Sequence, residues 1–233
     1  MPARPYTIVS CAVSLDGCLD DTSPGRLLLS GPQDLDEVDA LRARADAILV
    51  GAGTIRADNP RLLIRDPARV AARQAAGRPP HPLRVTVTAT GDLDPAASFF
   101  TGPGTPVVYA AAGAAAAARK NLGGRAVVAQ AGPALSLAAV LADLHSERGV
   151  VTVLAEGGAQ VLREVLASNL ADELRLAIAP FFVGAAGAPR FGLPARYPQG
   201  PDCPLTLLSV RPVGNVVVHH YRLIQKSPDP INE

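Results

Sequence analysis

The chain has 233 residues, 48% hydrophobic and 18% charged, with a formal net charge of +1. That length and apolar fraction support one large domain with a substantial core. The small net charge offers no bulk attraction for nucleic acid or an anionic membrane surface, and charges or prolines interrupt every apolar run before it reaches membrane-spanning length.

The opening MPARPYTIV enters a strand without a signal-peptide core, so no leader is expected. Cys11, Cys18 and Cys203 are odd in number and widely spaced, which fits a reducing compartment better than a disulfide framework. A cytoplasmic location is expected.

In chain order, Tyr6 to Val13 reads as a buried first strand, rich in β-branched residues. Ser14 to Gly17 is a turn and Asp20 to Gly25 a loop. A helix is expected from Pro32 through Ala45, with Asp34, Asp36 and Glu37 near its positive end and Leu35, Val38 and Leu41 as its apolar stripe. Asp66 to Pro82 is rich in Ala, Arg and Pro and reads as an exposed insertion. Strands follow at Leu83 to Thr88, Pro106 to Ala110 and Ala126 to Gln130. A helix is expected at Ala111 to Leu122 and another at Leu135 to Arg148, the second with Ser136 as N-cap. Val150 to Ala155 is a mid-sheet strand, and a helix then runs to about Ser168. Leu174 to Val183 reads as a long strand broken by Pro180. Leu205 to Val210 and Val216 to Leu223 form a closing antiparallel hairpin. Strands alternating with helices, then strands alone, predict an α/β domain over 1–225. Its sheet is mostly parallel and twisted, flanked by helices, with a C-terminal antiparallel hairpin. The remaining 226–233 are expected to be a disordered tail.

Two stretches carry candidate chemistry. The first, Asp46 to Arg65, is an apolar strand that breaks at Gly51-Ala52-Gly53-Thr54, continues through Asp58-Asn59-Pro60 and closes on Arg65. It brings glycines, a hydroxyl, a carboxylate and a guanidinium to one sheet edge, where α/β folds bind ligands. An ordinary strand, turn and helix with a polar exit loop would also produce it. The second is Leu154 to Gln160 (LAEGGAQ), where two glycines join a strand to a helix start and leave free backbone N–H groups for an anion. A tight strand-to-helix turn explains the glycines equally well. Glu156 is a carboxylate at the end of an apolar strand and needs a partner, for which a ligand is one candidate.

Other chemistries lack their residues. There is no G-x-S-x-G elbow, no P-loop and no Cys/His pair at metal spacing; His219 and His220 alternate across a strand. The H-x-E with P-C-x-x-C signature of zinc nucleobase deaminases is absent, and so is the full G-x-G-x-x-G fingerprint.

Taken together, these segments resemble the pyrimidine reductases of riboflavin biosynthesis, whose domain is similar to dihydrofolate reductase. The matching pieces are SLDG at Ser14 to Gly17, LRARADAILVGAGTIRADNPRLLIR at Leu41 to Arg65, LAEGGAQVL at Leu154 to Leu162, ADEL at Ala171 to Leu174 and IAPFFVG at Ile178 to Gly184. They fall in order over nearly the whole chain. The resemblance implies NADPH as cofactor and, as substrate, a diaminopyrimidinone or aminouracil 5′-phosphate whose ribosylamino group is reduced to ribitylamino. By the same matching, Val13, Thr54, Asp58, Gly157, Gly158, Ala159 and Gln160 would contact the cofactor. Arg42, Leu62, Arg65 and Glu156 would contact the substrate. No metal is implied, and no proton donor is identified. A homodimer is implied, joined through the apolar strand at Leu174 to Val183 and the hairpin, and the deaminase of the pathway would be a separate protein.

Five positions depart from the family pattern. Cys18 follows SLDG where a basic residue is common, Arg26 and Leu28 replace a Ser and a Trp near the substrate, and Thr88-Ala89 replaces Asp-Ser near the cofactor ribose. These departures leave open NADH in place of NADPH. They also leave open a paralogue that reduces another pterin- or pyrimidine-like heterocycle, or one that binds nucleotide without turnover.

Overall fold

The most apolar runs of the chain become the centre of its sheet. The structure, a computed structural model, describes residues 3–23 and 25–223. Strand β1 (Tyr6–Val13) lies between β6 (Thr152–Gly157) and β7 (Glu173–Ile178), parallel to both. On the far side of β6, β2 (Ala47–Gly51), β3 (Leu83–Thr88), β4 (Val107–Ala110) and β5 (Val127–Gln130) continue the parallel run. Beyond β7, β9 (Val216–Arg222) and β8 (Thr206–Val213) add the antiparallel hairpin. The order is β5-β4-β3-β2-β6-β1-β7-β9-β8, so the expected α/β architecture with its parallel sheet and antiparallel finish is what the described residues form.

Both faces of the parallel part are covered, which is why its strands read as unbroken apolar runs. Along β2, Ala47 and Leu49 enter one core with Val140, Leu141 and Leu144 of α6 (Leu137–Ser146) and Val161, Leu162 and Val165 of α7 (Ala159–Ala167). Ile48 and Val50 point the other way, into a core with Ile55 of α2 (Ala52–Asp58), Phe99 and Phe100 of α4 (Ser98–Thr101) and Leu122 of α5 (Ala112–Leu122). Ser136 caps α6 as expected, its hydroxyl accepting from the Ala139 amide, and Gly123 ends α5 at φ 53°.

Four expectations need correction. The segment 66–82 is not a plain insertion: Asp66 accepts from the Ala68 amide and starts α3 (Pro67–Ala75). Within it Arg73 is buried and donates to the carbonyls of Ala43, Ala45 and Pro79, satisfying the end of α1 (Pro32–Arg44). Polar composition concealed a side chain whose use is to cap another helix. The deepest side chains of α1 are not its apolar stripe but Asp34 and Asp39. Asp34 pairs with Arg175 of β7, while Asp39 accepts the amides of Arg65 and Asp66 and the Arg69 guanidinium. β6 begins at Thr152 rather than Val150, whose amide instead closes onto Leu144 of α6. β7 stops at Ile178, before Pro180, which has no N–H to donate to a ladder. The chain from 179 to 184 then runs as an arm tied to the Ser14–Gly17 turn. Leu15 donates to the Phe181 carbonyl, and the Asp16 carboxylate accepts from Ser14 and from the amides of Val183 and Gly184. The expected tail, 226–233, lies outside the described residues.

Candidate active site

The parallel strands β1, β2, β3 and β6 end side by side, and a cleft of about 740 Å³ opens over their carboxyl ends. Two strand-to-helix turns form its floor. At the first, β2 ends at Gly51 and α2 begins immediately, carrying Thr54 and Asp58 into the cleft wall. At the second, β6 ends at Gly157, and Gly158 leads into α7 with φ +83°. The two turns touch. A Cβ on Gly158 would stand 3.1 Å from Thr54 Oγ1, and one on Gly51 would stand 3.1 Å from Val161. At Gly158, backbone angle and space together require glycine.

No side chain caps α7, and Ala159 and Gln160 of its first turn line the cleft at the positive end of the helix dipole. That donor set suits a phosphate. Gly157, Gly158, Ala159 and Gln160, read from sequence as one phosphate-holding turn, are all in the cleft wall, as are Thr54 and Asp58 opposite. The residues therefore fit a dinucleotide laid across the strand ends.

Glu156 enters the cleft by a different route. β2 pairs with β6 as Leu49 with Ala155 and then Val50 with Gly157, so Glu156 is the extra residue of a bulge. A bulge breaks the strict alternation of the strand and re-aims the side chain. The Glu156 carboxylate then meets Arg42 from α1 in a bidentate pair, Nε to Oε1 at 2.7 Å and Nη2 to Oε2 at 2.6 Å. Arg42 also donates to the Leu63 carbonyl at 3.3 Å. Burial pulls on the Arg42 guanidinium, but Glu156 outweighs it and holds the group more firmly protonated than usual. Glu156 thus lines the cleft with both carboxylate oxygens engaged, and Arg42 is its support, outside the cleft wall.

The remaining candidates separate. Leu62 is buried in the α2 core at φ +52°, a left-handed conformation that a branched side chain rarely adopts and that turns the loop ahead of Leu63. Arg65 is 57% exposed; it donates to the carbonyl of Leu35, a cleft residue, and lies 3.6 Å from Asp39. Arg65 is thus held against α1, outside the cleft wall and apart from the Arg42–Glu156 pair. Val13 is buried and outside the cleft wall, its carbonyl accepting from the Ala179 amide.

Four of the five departures fall in this wall: Arg26, Leu28, Thr88 and Ala89 all line the cleft. Cys18 does not; its thiol is buried 3.6 Å from an Asp16 oxygen. Asp58 faces this segment. Burial raises its carboxyl above the usual range, with Arg26 acting against the shift and Asp20 adding to it. Sequence reading passed over Asp20, which organises the 20–27 loop by accepting the amides of Asp21 and Leu27. It also passed over Arg163, which lies in the cleft one helical turn past the Gly-Gly pair. The 3.6-residue period from Ala159 was the available signal for it.

Comparison with known proteins agrees with this geometry. The model of the RibD C-terminal domain matches residues 5–219. The 2,5-diamino-6-ribosylamino-4(3H)-pyrimidinone 5′-phosphate reductase of Archaeoglobus fulgidus is 36% identical over 187 residues, covering 80% of this chain and 85% of that protein. The reductase of the same name from Methanothermobacter thermautotrophicus is 33% identical over 186 residues, 79% of this chain and 82% of the relative. Among solved structures, a pyrimidine reductase-like protein of Corynebacterium diphtheriae superposes with a TM-score of 0.76 at 22% identity, covering 95% of this chain and 93% of that one. That match supports the fold alone. With the family model spanning nearly every described strand and whole-length relatives at this identity, the chain belongs to the RibD C-terminal domain family of riboflavin biosynthesis.

Proposed function

We propose that the chain is an NADPH-dependent reductase that converts the ribosylamino group of a pyrimidine 5′-phosphate to ribitylamino. The observation that carries this reading is the contact between the two turns. Gly158 abuts Thr54 at the N-terminus of α7, leaving a cradle of free amides in a cleft wide enough for a dinucleotide and a second ligand. The Archaeoglobus relative is named for a substrate of this class. When bound, the nicotinamide would supply the hydride.

The chain's own residues bind and orient. In this reading the amides of Ala159 and Gln160 hold the cofactor diphosphate, Gly157 and Gly158 let it approach, Thr54 and Asp58 face it from α2, and the Val13 backbone marks the nicotinamide end. Glu156 accepts hydrogen bonds from the amino groups of the pyrimidine. Arg42 keeps that carboxylate aimed, and Leu62 shapes the loop that supports the pair. Arg65 offers its unused N–H groups to the substrate phosphate at the α1 edge, where a planar fork matches a phosphate well. Alignment of the two ligands is the main catalytic contribution such a site makes.

The reading includes a homodimer. Strand β8 is the sheet edge and exposes Leu207, Leu208 and Val210, with Val217 beside them on β9. An apolar edge of this kind is usually paired. The thiols of Cys11, Cys18 and Cys203 are free and buried, as suits the cytoplasm, and the deaminase step would belong to a separate protein. Titration with NADPH and NADH, followed by nicotinamide fluorescence, tests the cofactor. Saturable binding with NADPH the tighter is expected; failure of both to bind would refute the reading.

A further inference from the structure

The cleft contains a cation that neither the fold nor the residues assigned above employ. Arg163 lies on the cleft face of α7, four residues past Ala159 and three past Gln160. Helix side chains tend to lean toward the N-terminus, which puts the turn that presents the free amides within reach of the long Arg163 side chain. The side chain is 37% exposed, but its Nε is buried with no hydrogen-bond partner among the described residues. Its closest carboxylate, Glu164 on the same helix, is 3.8 Å from Nη2, and that carboxylate also accepts from Ser168. A guanidinium nitrogen that is withdrawn from water without a partner is unfavourable unless an acceptor arrives.

The other cleft arginines differ. Arg56 donates to the Asp92 carbonyl, and Arg26 is exposed, where water can satisfy its guanidinium. We infer that Arg163 is a cofactor-binding residue whose guanidinium closes over the dinucleotide diphosphate at the N-terminus of α7. This rests on the dinucleotide reading of the cleft and adds a residue to it. The helix supplies neutral amides and a partial charge; Arg163 supplies a full charge and a fork that two phosphate oxygens can meet. The diphosphate is common to NADPH and NADH, so Arg163 strengthens binding of both and does not choose between them.

Arg163→Gln and Arg163→Lys in the full chain test this, with dissociation constants for NADPH and NADH measured by nicotinamide fluorescence at two salt concentrations. The glutamine variant should weaken both cofactors by the same factor, about 10- to 150-fold for a lost charge-assisted pair, and should reduce the salt dependence. The lysine variant should recover part of the loss, because the charge returns without the fork. Melting temperatures should match wild type, since the residue meets no buried partner. Unchanged affinity for both cofactors would overturn the assignment while leaving the cofactor reading intact. A loss confined to NADPH would overturn it too, by moving Arg163 to the phosphate that NADH lacks. If the wild-type chain binds neither cofactor, the cofactor reading falls and the assignment with it.

Discussion

Arg42→Met is the most informative single change, because the geometry states what it leaves behind. Methionine keeps most of the buried stem and removes the charge. Glu156, 9% exposed, loses both N–H donors of its bidentate pair. Removing one partner of a buried pair costs about 3–5 kcal/mol, and the cleft admits water to Glu156, so the lower end, about 3 kcal/mol, is expected at neutral pH. For a chain of this size that is a fall of about 6–12 °C in Tm, at about 2–4 °C per kcal/mol. The variant leaves a buried carboxyl group without its partner. Adding Glu156→Gln should recover part of the loss at neutral pH, giving a coupling well above 0.5 kcal/mol, roughly the limit of additivity for separate sites. Urea unfolding followed by circular dichroism, on wild type, both single variants and the double variant, measures it. Additive single effects would refute the buried pair.

Three further outcomes follow from other parts of the site. Gly158→Ala should lose about 1–2 kcal/mol of stability from its φ of +83° and weaken cofactor binding by crowding Thr54, whereas Gly157→Ala, whose Cβ would stand 3.5 Å from Thr54, should be nearly neutral in thermal melts. Asp58→Asn should gain stability relative to wild type at neutral pH and lose that advantage in acid. Burial raises the Asp58 carboxyl, so its stabilising contribution exists below its unfolded pKa and fades as pH rises through the folded pKa. Asp16 has the opposite sign: hydrogen bonds from Ser14 and the amides of Val183 and Gly184 hold its carboxyl far below the usual range, so its contribution persists at neutral pH and is lost only as pH falls through that low value. Asp16→Asn should accelerate hydrogen exchange at the Val183 and Gly184 amides while leaving the central strands protected.

What was legible in the sequence was local. An apolar run followed by glycine announces a strand and a sharp turn, so both strand-to-helix turns of the cleft were found, along with most elements, within a few residues of their ends. The dense motif around Thr54 and Asp58 and the Gly-Gly pair led to one side of the cleft each, and the fold brings them into contact. What was not legible depended on partners distant in sequence. Arg42 and Glu156 are 114 residues apart, and Arg42 reads as a ligand contact until Glu156 is seen to occupy it. The bulge that turns Glu156 into the cleft exists only in the pairing of β2 with β6. Arg73 looked like surface charge because the carbonyls it caps belong to a helix 28 and 30 residues away.

The proposed reaction is reduction of a phosphorylated ribosylaminopyrimidine by NADPH in this cleft. The most direct measurement is the loss of NADPH absorbance when the full chain is mixed with 2,5-diamino-6-ribosylamino-4(3H)-pyrimidinone 5′-phosphate, run beside the corresponding aminouracil 5′-phosphate and the dephosphorylated forms. Saturable oxidation is expected with at least one of the two phosphorylated compounds, with a ribitylamino product and a much lower kcat/KM without the phosphate. NADPH that binds but is not oxidised with either phosphorylated compound would contradict the proposed reaction.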